Sequence, residues 1–453
     1  MPVKGIRSWA RRSLDALTTD GMLRSVLKNT GWLTGSSGLI LLLTTAQSVL
    51  TARLLGIVLF GVLAVAVSFA AVVGRLLSFQ MNVFIVRWVT QLRESAPELA
   101  PTAFRLALVV EVGTAVLAFA VIESLAGWGA AVFAKSPDLA WVFQILAFTA
   151  LFQAGQQTFI GMMQVNRDFR KQGMIQSFCQ AVSVAGIAVV FILGGGLLGV
   201  VSIFVAVQVL MAGLFWTYGF RAARAIFGAG WVRSPLEHLG ELGREMAHFA
   251  VMVNMSGSLR ATMGQADLLV LGFLTTPTQV AYYKIARSIC QIAQLPMMPM
   301  VDASYPEFSS AASRDKWEDF KRLMSRGGKV AALWVVPVSL GLVALAPLAI
   351  GLLYGPSFVP AVPALAILLV GTCFDGIFFW TSAALWSMGQ PGYETSVCFV
   401  ASVVRIALAF LLLPSGGYVA MAAIASIVLV AQNLVYARRV HSSIRIREFG
   451  AVS

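Results

Sequence analysis

Residues 38–80 read GLILLLTTAQSVLTARLLGIVLFGVLAVAVSFAAVVGRLLSFQ, and Arg53 and Arg75 are the only charged residues among them. One membrane crossing takes about 20 apolar residues. The run is therefore too long for one span and suits two, divided at Leu54-Leu55-Gly56. Working outward, apolar runs place spans near 32–54, 57–80, 103–125, 139–162, 173–194 and 198–219. A second set follows near 247–274, 279–303, 330–353, 361–387, 392–413 and 416–436. Hydrophobic residues make up 58% of the chain and charged residues 12%, a composition that excludes an ordinary soluble domain. The expected fold is an all-α integral membrane protein with about 12 transmembrane helices in two six-helix lobes around a central cavity.

Charge supplies the orientation. Of 33 Lys and Arg residues, 26 fall in loops on one side of these spans, and the opposite loops hold only Lys135. The positive-inside rule accounts for this asymmetry and for most of the +13 net charge, which removes nucleic acid as a partner. Both termini are then cytoplasmic. The chain divides into a basic interfacial tail (1–30), a first lobe (31–220), an amphipathic linker (221–246), a second lobe (247–437) and a basic tail (438–453). Leu236, Leu239, Leu242 and Met246 in the linker, and Trp317, Phe320 and Met324 further on, have helical spacing and read as surface anchors in the lipid bilayer.

The two halves are alike. Leu55-Gly56, followed by a span containing Gly61, matches Leu271-Gly272, followed by Val280-Ala281-Tyr282-Tyr283, at an offset of 216 residues. Phe178-Cys179 through Gly194-Gly195-Gly196 likewise matches Cys398-Phe399 through Gly416-Gly417. Repeats of an even number of spans keep the same orientation, so the substrate path is expected between two lobes related by an axis along the membrane normal.

Enzymatic patterns are missing from the sequence. The three histidines have no metal-ligand spacing, the four cysteines are isolated, and Gly194-Gly195-Gly196 lacks the Lys-Ser/Thr of a phosphate loop. The sequence thus points to a non-enzyme with no catalytic residues, no metal and no cofactor, driven by a Na⁺ or H⁺ gradient, a partner or cargo mass action. Intramembrane charge is where function is sought. Arg53, Arg75, Arg260, Lys284, Arg287 and Arg405 are candidates to line a cationic substrate cavity. Asp267, Asp375 and Glu111 are candidates for ion coupling. Arg260 and Asp267, seven residues apart, share a helix face, and Lys284 and Arg287 are one turn apart in a span bent by Pro296 and Pro299.

Several segments carry a family likeness: Ala52-Arg53-Leu54-Leu55-Gly56 with Phe60-Gly61, Asp267-Leu268-Leu269-Val270-Leu271-Gly272, Val280-Ala281-Tyr282-Tyr283-Lys284-Ile285-Ala286, and Tyr305-Pro306-Glu307-Phe308. With these the chain resembles the Wzx-type oligosaccharide flippases of bacterial polysaccharide synthesis. They belong to the superfamily that also holds the lipid II flippase and the multidrug and toxin extruders. The resemblance implies movement of an undecaprenyl-pyrophosphate-linked oligosaccharide from the cytoplasmic to the periplasmic leaflet of the bacterial inner membrane, by alternating access. It implies a place in O-antigen, capsule or exopolysaccharide synthesis, beside a polysaccharide polymerase and chain-length machinery. The first span lacks the Arg-Asp pair of the lipid II branch, which counts against a peptidoglycan precursor. The alternative is a cation-coupled multidrug or toxin exporter of the same superfamily.

Overall fold

A computed structural model describes residues 21–78, 81–233, 240–295 and 297–450; within these, the side chains of 21–34, of 252–264 and of some other residues lie outside the description. The expected interfacial segment before residue 21 falls outside it too. The described chain forms fourteen α-helices. The first half holds α1 (Gly21–Leu77), α2 (Met81–Ser95), α3 (Ala100–Phe133), α4 (Ala140–Phe152), α5 (Gln156–Val165), α6 (Phe169–Ile192) and α7 (Leu197–Phe227). The second holds α8 (Gly240–Leu274), α9 (Pro277–Gln294), α10 (Met297–Ser313), α11 (Trp317–Leu353), α12 (Val362–Ile377), α13 (Trp380–Ser387) and α14 (Pro391–Gly450).

A straight helix the length of α1 would run to about 85 Å against a hydrocarbon core of about 30 Å. It folds back at Gly56, whose φ of 69° is a conformation that favours glycine. One cavity is lined by Thr44, Gln47, Ser48 and Thr51 before the turn and by Phe60, Leu63, Ala64 and Val67 after it, so the two arms lie side by side. α14 does the same at Gly417, with φ 55°. Across its arms the Tyr436 hydroxyl donates to the Glu394 carbonyl at 3.0 Å, and Gln390, just before the helix, donates to Ser443 at 3.2 Å.

Eight helical stretches among the described residues are long and apolar enough to cross a membrane. The first half supplies six crossings when the arms of α1 are counted separately. The second half matches it when α8 and α9 are admitted; the described side chains of α8 include the apolar stretch Gln265–Leu274. The repeat shows element by element. In each half the second crossing breaks and resumes, at Met81 and at Met297, and the fourth breaks again, before Gln156 and before Trp380. The turn matching Gly56 falls at Thr275-Thr276 rather than at Gly272, which lies inside α8.

Two further expectations change. Trp317, Phe320 and Met324 are buried in the protein, in the core of the second lobe at its basic end, rather than lying on lipid. The linker joins α8 without a break from Gly240, Met246 packs into the core of the first lobe, and α14 continues past residue 437.

Lipid gives apolar helices no hydrophobic drive to associate, so close packing of small residues takes its place. At the end that carries Lys135 the two lobes share one core, with Phe60 on Phe358 at 6.0 Å and Phe133 on Phe273 at 6.1 Å. A Cβ on Gly272 would sit 2.6 Å from the Phe133 carbonyl oxygen, and one on Gly61 would overlap the backbone of Pro277. At the basic end each lobe has its own core, one around Trp88, Phe104 and Phe159, the other around Phe308, Phe320 and Trp380. Gly61→Val should therefore wedge the Lys135 end apart at a cost of about 1–3 kcal/mol. Spin labels at the exposed Asp138 and Ser357, one on each lobe, would read this as a longer distance than in the unsubstituted pair.

Candidate functional site

Polar residues within the spans gather around three neighbouring cavities. The largest, about 660 Å³, lies inside the first lobe and is lined by six glutamines, Gln47, Gln153, Gln156, Gln157, Gln180 and Gln208, with Asn82, Ser183, Arg75 and Glu111. A second, about 200 Å³, lies between the lobes and shares Gln47, Val67 and Phe204 with the first; Lys284 enters it from α9. A third, also about 200 Å³, lies in the second lobe and holds Asp267, Tyr283, Arg287, Gln294 and Arg405.

The glutamine chamber is made by a break in a helix. Between α4 and α5 the chain turns through Gly155, at φ 74°, and the first backbone N–H groups of α5 lose their partners. Glu111, 3% exposed on α3, replaces them. Its carboxylate accepts from the Gln157 N–H at 2.8 Å, the Thr158 N–H at 2.8 Å and the Thr158 hydroxyl at 2.6 Å. A carboxylate at a helix N-terminus is also favoured by the helix dipole. The break presents the exposed side chains of Gln153 and Gln157 to the chamber. Gln208 donates to Gln156 at 3.2 Å and Gln180 donates to Gln47. Arg75, exposed, lines the chamber near its basic end together with Ser78 and Asn82.

In the second lobe Arg405 pairs with Asp267, and the Tyr283 hydroxyl donates to the same Asp267 oxygen at 3.0 Å. Arg287 lines this cavity one helical turn after Tyr283. Lys284, a single residue on from Tyr283, is rotated by about 100° and faces the arms of α1 instead. Thr51, 2% exposed, lines the cavity beside Lys284, and its hydroxyl has no hydrogen-bond partner among the described residues. Asp375 is held by two amides, Gln294 at 3.2 Å and Asn433 at 3.1 Å.

The structure thus divides the residues singled out from sequence. Arg75 and Glu111 share the first-lobe chamber, Lys284 stands between the lobes, and Arg287, Arg405 and Asp267 share the second-lobe cavity. Arg53 stands apart from all three. It donates to the carbonyls of Leu352 and Leu353 at the C-terminus of α11, where a cation complements the helix dipole, and so ties the lobes together at the Lys135 end. Arg260 falls among the side chains outside the description, so its expected partnership with Asp267 is not addressed, whereas Asp267 and Arg405 meet across 138 residues of sequence. The glutamines and Tyr283 had no part in the charge-based reading. A signal for the glutamines was present in Gln153-Ala154-Gly155-Gln156-Gln157, a polar run with a glycine in mid-span. Among the described residues, no cluster of His, Cys, Asp and Glu could hold a metal ion.

Comparison with known proteins gives this architecture a class. The fold resembles that of an inward-facing multidrug resistance transporter of the MATE family, a member of the MOP superfamily, with a TM-score of 0.73, 14% identity, and coverage of 90% of this chain and 95% of the other. It also resembles the lipid II flippase MurJ in an inward closed conformation, with a TM-score of 0.71, 14% identity, and coverage of 90% and 87%. The molecule is a multi-pass membrane protein that shares the fold of these two structures. Residues 26–312 match the family described as polysaccharide biosynthesis protein, and the chain belongs to that family. A probable low-salt glycan biosynthesis flippase of Haloferax volcanii is 20% identical over 199 residues, which is 44% of this chain and 42% of that protein, so the match spans less than half of the relative.

Breaking a buried ion pair by removing one partner typically costs about 3–5 kcal/mol. Arg405 is 26% exposed and Arg287 lines the same cavity, so Arg405→Ala should lower stability by less than that figure. Thermal unfolding of Arg405→Ala, Asp267→Ala and the double variant checks this: the double variant should be less destabilised than the two single costs combined, and simple additivity would show that the groups act independently.

Proposed function

We propose that this protein is a flippase that carries an undecaprenyl-pyrophosphate-linked oligosaccharide from the cytoplasmic to the periplasmic leaflet of a bacterial inner membrane by alternating access. The observation that carries the reading is the polar chamber of the first lobe, which adjoins the cavity that Lys284 enters, together with a separate charged cavity in the second lobe. Sugars and a pyrophosphate lose their hydration on leaving water, and preplaced hydrogen-bond donors compensate part of that cost. Amides suit the sugars and cations the pyrophosphate. The isoprenoid tail stays in lipid beside the protein.

With the basic end cytoplasmic, the lobes are joined on the periplasmic side and hold separate cores on the cytoplasmic side. Cargo then enters from the leaflet in which it is made. Coupling to Na⁺ or H⁺ belongs to the same reading, with Asp375 as the carboxylate outside the two other engaged sites. Polymerase and chain-length machinery would receive the flipped unit.

A drug exporter for cations calls for carboxylates available to the cargo. Here the two that line the described cavities are engaged, Glu111 by the start of α5 and Asp267 by Arg405 and Tyr283. That chemistry favours the flippase.

Proteoliposomes holding only this protein and a radiolabelled undecaprenyl-pyrophosphate oligosaccharide provide the test, scored by an external sugar-modifying reagent. Facilitated exposure is expected in the unsubstituted protein. Arg75→Ala and Lys284→Ala should each reduce it roughly tenfold, as loss of a charge-assisted hydrogen bond of about 1.5–3 kcal/mol implies. Arg75→Lys should retain part of it. Undiminished exposure in both Ala variants would contradict the cationic path.

A further inference from the structure

We infer that the first-lobe chamber is a subsite for the uncharged part of the cargo glycan, read by Gln153 and Gln157, while the charged part is held elsewhere. The inference rests on the flippase reading and adds a division of labour between the lobes. Four observations lead to it.

Amides supply most of the polar groups in the chamber wall. Each glutamine offers an acceptor oxygen and two N–H donors, a pattern that matches sugar hydroxyls, which donate and accept at once. The charges present do not alter this. Glu111 spends its carboxylate on the backbone of the broken helix, and Arg75 sits near the basic mouth with Ser78 and Asn82.

The amides differ in availability. Gln47 and Gln180 are bonded to each other, as are Gln156 and Gln208. Gln153 and Gln157 are exposed to the chamber, and no side-chain hydrogen bond engages either among the described residues. They are therefore the amides free to meet a ligand. Their placement is enforced, because both flank the turn at Gly155 that Glu111 holds.

Among the described residues the second lobe has no counterpart. Its matching break, between α12 and α13, carries Phe378, Phe379 and Trp380, and the matching stretch of α11 carries Gly327 and Gly328 packed on Phe379 and Trp380 in place of a carboxylate. One arm of the repeat has a polar chamber and the other an aromatic joint.

A cation lies on the far side of Gln47. Lys284 borders the interlobe cavity that Gln47 shares with the chamber, which places a cation next to the glycan subsite but outside it. A headgroup whose sugars fill the chamber would leave its pyrophosphate near Lys284.

The test compares three radiolabelled probes on the full chain in nanodiscs: undecaprenyl pyrophosphate without sugar, the same lipid bearing a neutral oligosaccharide of hexoses and N-acetylhexosamines, and that oligosaccharide free. The sugar-bearing lipid should bind more tightly than the bare one. Gln153→Leu with Gln157→Leu, which keeps side-chain bulk and the backbone bond to Glu111, should erase roughly a tenfold advantage and leave the bare lipid unchanged. Unchanged bare-lipid binding also shows that the variant is folded. Gln153→Asn with Gln157→Asn, which retains the amides on a shorter stem, should keep part of the advantage. An advantage that survives in the Leu variant, or equal weakening of both lipids, would overturn the subsite. Binding of the free oligosaccharide alone, lost in the Leu variant, would uphold the subsite while the lipid-linked reading fell. No binding of any probe would overturn both.

Discussion

A helix inside a hydrocarbon slab can break only where something takes up the hydrogen bonds that the break releases, and in the first lobe that something is Glu111. Three donors of the α5 start converge on its carboxylate, which lies almost wholly out of solvent. Without it, Gly155 would expose unsatisfied N–H groups at membrane depth, and the fourth crossing would be expected to straighten. Gln153 and Gln157 would then leave the chamber wall. An acid that sequence reading assigns to ion coupling thus has an architectural role that comes before any other.

The lobes share a plan and differ in chemistry. The same two interruptions recur in both, and both lobes begin from a hairpin or a tight turn at the Lys135 end. On that common frame the first lobe carries neutral amides and the second a compact charged set of Asp267, Tyr283, Arg287 and Arg405. Pairing Arg405 with Asp267 lets a cation sit in the membrane without an isolated charge, at the expense of its availability. Lys284, which has no ion pair among those described, faces the space between the lobes. The joint at the Lys135 end rests on glycine approach, on Arg53 at the C-terminus of α11 and on the apolar core that the lobes share there.

What the sequence revealed follows the range of its physics. Period and length located the turns at Gly56 and near Gly416-Gly417, because membrane thickness limits every crossing. The two-lobe repeat was readable at an offset of 216 residues, although Gly272, aligned with Gly56, serves close packing rather than a turn. Long-range pairs were out of reach: nothing local to Arg405 announces Asp267. Amphipathic spacing could not tell a protein partner from a membrane surface, so Trp317, Phe320 and Met324 read as lipid anchors yet lie in a core. The glutamines escaped because intramembrane function was sought among charges alone, while the polar run around Gly155 carried the more specific information.

The most direct measurement is a cryo-electron microscopy structure of the protein in nanodiscs with an undecaprenyl-pyrophosphate-linked neutral oligosaccharide bound. The account predicts sugar density against Gln153 and Gln157, pyrophosphate density within hydrogen-bond reach of Lys284, and the tail leaving toward lipid. A headgroup lodged beside Arg405 and Asp267 with the glutamine chamber empty, or bound outside all three cavities, would contradict it.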